Sequence, residues 1–257
     1  MVKGTRLIIT GVATASSIAW KTAEAAHRDG AQLLLAAFPR DLDAARALAA
    51  TLDPAIAVVP CDLTDPADLE GLEAATLEHL GGADGALHAV AFAPRAALGG
   101  PFAELPADAV GPMMQTSVVS FAALARCLAA CAQGPASLVG LDFDAGDRAW
   151  PVYNWMGVAK AALRSSARYL ARDFGPSGMR VNLVAAGPLG TRAASAIPGF
   201  ERLLEAWERT APLPWDPDDA SSVADACCFL LSRASRGISG EVLHVDGGFH
   251  AMATTLR

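Results

Sequence analysis

The chain contains no basic run and no basic amphipathic stretch, and its formal charge is −7 over 257 residues. A nucleic-acid partner needs a basic stripe to meet phosphates, and an anionic membrane surface needs a basic helix face, so the composition argues against both classes. Nowhere do roughly 18 apolar residues run uninterrupted, the length a spanning helix needs. The nearest approach, 118–132, is broken by Arg126. Lys3 and Arg6 ahead of an apolar stretch ending in Ala13-Thr14-Ala15 imitate a secretory leader. Thr10-Gly11 interrupts that stretch, and cleavage would delete the first core strand, so a leader is not expected. The five cysteines (Cys61, Cys127, Cys131, Cys227 and Cys228) are odd in number and follow no framework spacing, which predicts free thiols in a reducing cytoplasm. Cys127 and Cys131 lie four apart on a helical pattern, but no His or second Cys pair completes a set, so no metal is expected and both read as small buried residues. Linkers and repeats are absent, and so is the dinucleotide fingerprint G-x-G-x-x-G.

What remains is apolar material: 53% hydrophobic residues against 18% charged, enough for one large α/β domain with a core on several faces. Short apolar runs at 6–10, 32–37, 56–60, 86–90, 136–141, 180–185 and 241–245 read as strands. Helical patterns fall between them at 17–29, 41–52 (with Asp41 as N-cap), 66–80, 107–131, 153–174 and 219–231. The strand runs are continuous rather than alternating, as in a parallel sheet covered on both faces. Strand–helix alternation with right-handed crossovers then gives a doubly wound, Rossmann-like sheet in a single domain. The least regular segment is 187–218, with five prolines and a short helical pattern at 200–209; a long excursion after a sheet strand is where a substrate cover would sit.

In such sheets ligands bind beyond the carboxyl ends of the strands, which here means 10–18, 38–40, 62–63, 91–93, 141–143 and 186–191. Gly11 permits close approach of a phosphate, and Ser17 leads into a helix whose amides can hold a pyrophosphate. The alternative is an ordinary turn with a capping serine. Asp62 is placed either to accept from an adenine amino group or to cap a helix. Phe38 stands where dinucleotide enzymes place an acidic group for the ribose or a basic one for a 2′-phosphate; it offers a flat apolar face, leans towards NADH without excluding NADPH, and fits core packing as well. The densest chemistry is Tyr153-Asn-Trp-Met-Gly-Val-Ala-Lys160. Seven residues are two helical turns, so phenol and ammonium point to one side. There the ammonium can stabilise a phenolate and grip a ribose hydroxyl while the phenol meets the oxygen of a reacting carbonyl. The spacing alone also fits a buried structural tyrosine and a solvated lysine. Phe143 reads as core or as the wall of a substrate slot.

Taken together, these segments resemble the bacterial enoyl-acyl-carrier-protein reductases, a divergent branch of the short-chain dehydrogenase/reductases. The similarity runs nearly end to end: Thr10-Gly11 with Ser17-Ile18-Ala19, Cys61-Asp62-Leu63, His88 with Phe92-Ala93-Pro94, Tyr153 to Lys160, Arg180-Val181-Asn182, Ala186-Gly187-Pro188 with Thr191, and 237–248 ending in Asp-Gly-Gly. Tyr-x6-Lys is the specific signal, since other branches use Tyr-x3-Lys with an upstream serine, and the position thirteen before Tyr153 is Gly140. The resemblance implies that NADH reduces the trans-2 double bond of an enoyl thioester carried on acyl carrier protein or CoA, as in type II fatty acid synthesis. It implies that Tyr153 hydrogen-bonds the thioester oxygen and that Lys160 holds the nicotinamide ribose. It assigns Phe143, Met156 and Ala93 to the acyl slot, and Gly11, Ser17, Ile18, Phe38, Asp62, Leu63, Ala91, Leu189 and Thr191 to the cofactor. A cytoplasmic homotetramer packed through its long helices is implied as well. The chain departs from the family pattern at Ala89 and Ala91, where relatives carry Ser and Gly, and at Gly190, where they carry Arg; Ala91 would be strained if that position needs a positive φ. These departures leave open a ketone or imine reductase on the same scaffold and, in another class, a non-catalytic dinucleotide-binding protein.

Overall fold

The computed structural model describes residues 1–151 and 153–253. Seven parallel strands form one sheet in the order β3-β2-β1-β4-β5-β6-β7. They are β1 Arg6–Thr10, β2 Gln32–Ala37, β3 Ala57–Pro60, β4 Gly85–His88, β5 Ser137–Asp142, β6 Arg180–Ala186 and β7 Val242–Val245. The helices are α1 Ile18–Arg28, α2 Leu42–Leu52, α3 Pro66–Leu80, α4 Ala107–Met114, α5 Ser120–Cys131, α6 Asn154–Phe174, α7 Phe200–Thr210 and α8 Ser221–Leu231. The sheet is the doubly wound, Rossmann-like parallel type expected from the strand runs.

Each strand is apolar throughout because successive side chains enter different cores. Leu7 and Ile9 of β1, with Leu33 and Leu35 of β2, pack among α1, α2 and α8. Ile8 and Leu34 point the other way, into the core of α3, α5 and α6. The winding reverses between β1 and β4, and that switch point opens a crevice at the carboxyl edge. Gly11 sits there at φ +83°, and a Cβ on it would lie 2.2 Å from the carbonyl oxygen of Ala89, so the turn after β1 closes against the segment after β4 only with glycine.

Three expectations are corrected. The 107–131 pattern is helical throughout but not uniform: Gln115–Val119 is a π-helical stretch between α4 and α5. The run is long and apolar enough to cross a membrane, yet its apolar side is spent on the protein core, where Phe121, Leu124 and Leu128 are fully buried. The strand expected at 86–90 is Gly85–His88, because Ala89 and Val90 have already left the sheet. Asp41 precedes α2 but makes no capping bond, its carboxylate being committed to Arg192.

Gly140 on β5, thirteen residues before Tyr153, has no room for a side chain. A Cβ here would lie 2.7 Å from Leu183 and 2.9 Å from Phe121, both fully buried. Gly140→Ser is expected to destabilise the fold by about 1–3 kcal/mol through overpacking, read as a lower midpoint in urea unfolding with unchanged slope.

Candidate active site

The exit of β5 organises the site. Lys160 of α6 is buried and donates from Nζ to the carbonyl oxygen of Leu141 at 2.8 Å. Arg164, one turn further on the same helix face, is also buried; its Nε donates to Asp142 Oδ2, its Nη2 to the Phe143 carbonyl at 3.2 Å, and its Nη1 pairs with Asp147. Tyr153 lies against the Phe143 ring, centroids 4.9 Å apart. Residues 141, 142 and 143 thus receive Lys160, Arg164 and Tyr153 in turn. Tyr153 is not inside the helix, as the two-turn argument assumed. It is the N-cap residue of α6, and Asn154 follows at φ +38°, the one positive-φ residue other than glycine among the described residues. Asn154 Nδ2 donates to the carbonyls of Gly99 and Gly100, and Trp155 Nε1 to that of Phe102, so the helix start is anchored to the loop after β4. Anchoring to β5 and to this loop, rather than helical phase alone, brings phenol and ammonium to one strand end.

Burial sets the protonation states. It raises the Tyr153 phenol well above its ordinary value, with the negative charge of Asp142 adding to the shift, so the side chain is a neutral donor rather than a phenolate. The Lys160 ammonium is lowered by burial and by Arg164, against the pull of Asp142. Burial pushes the Asp142 carboxyl up, opposed by Lys160 and Arg164. His88, at the end of β4, is brought down to about 3 by burial and by Lys160, and its neutral ring shares a 2.8 Å hydrogen bond with Ser120. Ser117, in the π-helical stretch, accepts from the Phe92 amide and donates to its carbonyl, both at 3.0 Å. The irregular turn therefore supports the loop after β4.

Around Tyr153 the described residues form an aromatic group that sequence reasoning mostly missed. Trp207 stacks on Phe249 at 3.8 Å and on Phe143 at 5.7 Å, and Trp150 stacks on Trp207 at 5.4 Å. Met156 is buried in this cluster and Ala93 packs on its edge. Trp207 arrives from α7, within the 187–218 excursion, and donates to the carbonyl of Asp246. The signal was present: Phe200, Leu203, Leu204 and Trp207 follow i, i+3, i+4, i+7. The Asp246-Gly-Gly run earns its glycines here, since Gly247 at φ +68° and Gly248 at φ +83° let Leu213 and Pro212 pack directly on the backbone. An open cleft of about 540 Å³ lies on the outer face of α6, lined by Tyr153, Gly157 and Val158 but by neither Lys160 nor Phe143.

The expected cofactor residues distribute along the carboxyl edge. Ser17 caps α1, accepting from the Trp20 amide, and no acidic residue stands in the first turn to repel a phosphate. Ile18 is partly buried beside it. Asp62 is not the helix cap: Asp65 caps α3, while Asp62 Oδ1 accepts from both the amide and the hydroxyl of Thr64. Leu63 is buried beneath it. Phe38 is no core residue, being 43% exposed, with the Arg40 guanidinium over its ring at 5.1 Å. Ala91 is exposed and keeps a negative φ, so the feared strain is absent. Leu189 is buried after β6, and the Thr191 hydroxyl accepts from Ala194. Arg192 then reaches back to Asp41 in a bidentate pair, both bonds 2.8 Å, that joins the segments after β6 and β2.

A model of the family described as enoyl-(acyl carrier protein) reductase matches residues 11–250. The chain is 37% identical to the NADH enoyl-acyl-carrier-protein reductase of Bacillus subtilis, covering 98% of each. It is 36% identical to the protein of the same description from Mycolicibacterium smegmatis, over 96% of this chain and 97% of that one. The Escherichia coli counterpart is 36% identical... over 97% of this chain and 95% of its own length.

Asp41 gives a pH test of the bridge across the carboxyl edge. Arg192 holds its carboxyl below the usual range, so the stabilisation is present above the unfolded value of about 3.9 and is lost as pH falls through the lower folded value. Asp41→Asn is expected to flatten that acid limb and to cost about 1 kcal/mol at neutral pH, measured by chemical denaturation across pH.

Proposed function

Because the chain belongs to the enoyl-acyl-carrier-protein reductase family, we propose that it reduces the trans-2 double bond of an enoyl thioester, presented on acyl carrier protein, with NADH. One observation carries the reading: a neutral, buried Tyr153 and a buried Lys160 are brought to the exit of β5 beside an aromatic wall. The residues present fit the cofactor, because the Gly11 turn leaves no room for a Cβ and α1 opens with a capping serine and no acidic group. NADH supplies the hydride that reaches the β-carbon.

The chain's own residues do the rest. Reduction at the β-carbon moves charge onto the thioester oxygen, and a donor aimed at that oxygen favours the transition state over the substrate. Tyr153 is that donor: its raised pKa keeps the proton on the phenol. Lys160 carries positive charge beside it and holds the nicotinamide ribose. Phe143, Met156 and Ala93 line the acyl slot, and the 187–218 excursion, through α7 and Trp207, covers it and excludes water. Gly140 leaves no space for the serine that ketone reductases of the superfamily place near their tyrosine, which favours the enoyl substrate over a simple carbonyl. Phe38 offers its exposed face to the adenosine end, and the relatives named as NADH-dependent support NADH over NADPH. Gly11, Ser17, Ile18, Asp62, Leu63, Ala91, Leu189 and Thr191 complete the cofactor crevice. The enzyme works in the cytoplasm as a homotetramer, a reading supported by five unpaired thiols and by the exposed Val119 and Val158 on the long helices.

Purified protein should oxidise NADH on addition of a trans-2-enoyl thioester and should do so more slowly with a ketone panel; faster ketone turnover would reverse the substrate assignment. Tyr153→Phe is expected to lower kcat by about 10²–10³ with NADH affinity retained, and Lys160→Ala to weaken NADH binding. The Lys160 pKa lies below the ordinary lysine value of about 10.4, so NADH affinity should fall as pH rises through that lowered value while the cation discharges. A pH-independent NADH dissociation constant up to the ordinary lysine range would contradict this role.

A further inference from the structure

Two cations on one helix face compete for one buried carboxylate. Asp142 is 5% exposed; its Oδ2 takes Arg164, and its Oδ1 is buried without a hydrogen-bond partner among the described residues. Lys160, one turn before Arg164, bonds instead to the backbone oxygen of Leu141, the residue just before Asp142. An ammonium on a flexible stem would ordinarily choose a carboxylate over a neutral carbonyl, because charge-assisted bonds are roughly twice as strong. Arg164 holds Asp142 by Oδ2 and balances its charge, and Lys160 leaves Oδ1 unpartnered and takes the Leu141 carbonyl. Arg164 is fixed there from three sides: by Asp142, by Asp147 and by the Phe143 carbonyl. A Cβ on Gly146 would come within 2.5 Å of Arg164 Nε, so the loop lies flat against the guanidinium only because residue 146 has no side chain. The other charged or titratable groups facing Lys160 are His88 from β4, kept neutral, and Asp142 from β5.

We propose that Arg164 is the positioning residue of this site: by occupying Asp142 it keeps that carboxylate from drawing Lys160 off the Leu141 carbonyl, and by holding the Phe143 carbonyl it fixes the aromatic wall beside Tyr153. The inference rests on the reading that Lys160 holds NADH. Without Arg164, the Asp142 charge is no longer balanced and its carboxylate is released to turn, so it draws Lys160 off the Leu141 carbonyl, and the ammonium turns from the ribose towards β5. The damage then comes from Asp142 and is undone by removing its charge.

The experiment compares wild type, R164M, D142N and R164M/D142N by NADH titration of the purified chain, with thermal unfolding of the nucleotide-free protein in parallel. R164M is expected to raise the NADH dissociation constant about tenfold, D142N to change it less than about threefold, and the double variant to return to within about threefold of wild type. A merely structural role would lower Tm and affinity together in R164M and leave the double variant no better. A double variant binding as poorly as R164M, or an R164M that binds like wild type, overturns the proposal. Should R164M not fold, R164K and R164K/D142N carry the same comparison, since lysine keeps the charge but loses the fork. A wild-type chain that binds no NADH would refute the functional reading instead, a result distinct from any pattern among the variants.

Discussion

The structure turns on the desolvation of positive charge at the end of β5. Lys160 and Arg164 are removed from water on the face that α6 packs against the sheet, and each must find its oxygen there. Burial of unpaired cations would destabilise the fold, so the backbone oxygens of Leu141 and Phe143 and the carboxylate of Asp142 hold α6 at one height along the strand. The Phe143 ring, the Tyr153 phenol and the aromatic group behind them take their places from that register.

A second support acts from the other side of the crevice. The π-helical stretch Gln115–Val119 interrupts the regular ladder between α4 and α5. The serines within and just after it serve the exit of β4: Ser117 clasps the backbone of Phe92, and Ser120 pairs with His88. β4 and β5 are neighbours, so the segments leaving them lie side by side at the carboxyl edge. Both are held by polar bonds within apolar surroundings, where such bonds are strong and an unpaired group is costly.

Much of this was legible in the chain itself. Continuous apolar runs revealed a sheet covered on both faces, because Leu7, Ile8 and Ile9 are all buried whichever way they point. Tyr153 and Lys160 stood out by type and spacing, whereas Met156 came only through the family resemblance and Phe143 read as core or slot wall; the structure gathers Phe143 and Met156 in the aromatic cluster with Tyr153. What escaped reading depends on contacts between distant segments. The partner of Asp41 is Arg192, 151 residues away, so local capping logic could not find it. Phe38 looks like core by composition, yet its strand has ended and the ring stands in solvent beside Arg40. Arg164 resembles any helix-surface arginine until β5 is laid beside α6. The helix start at Asn154, at φ +38°, is set by the carbonyls of Gly99 and Gly100, which no helical periodicity registers.

The stacking of Trp207 on Phe249 has a consequence for biosynthesis. Strands β1 to β6, the crevice turn at Gly11 and the Tyr153–Lys160 segment all emerge from the ribosome before residue 249 does. Until Phe249 and the Asp246-Gly-Gly turn arrive, α7 lacks the ring that Trp207 stacks on most closely and the carbonyl to which its indole donates. A nascent chain can therefore carry Tyr153 and Lys160 well before α7 has its full seat, which is complete only once β7 and the turn after it have been made.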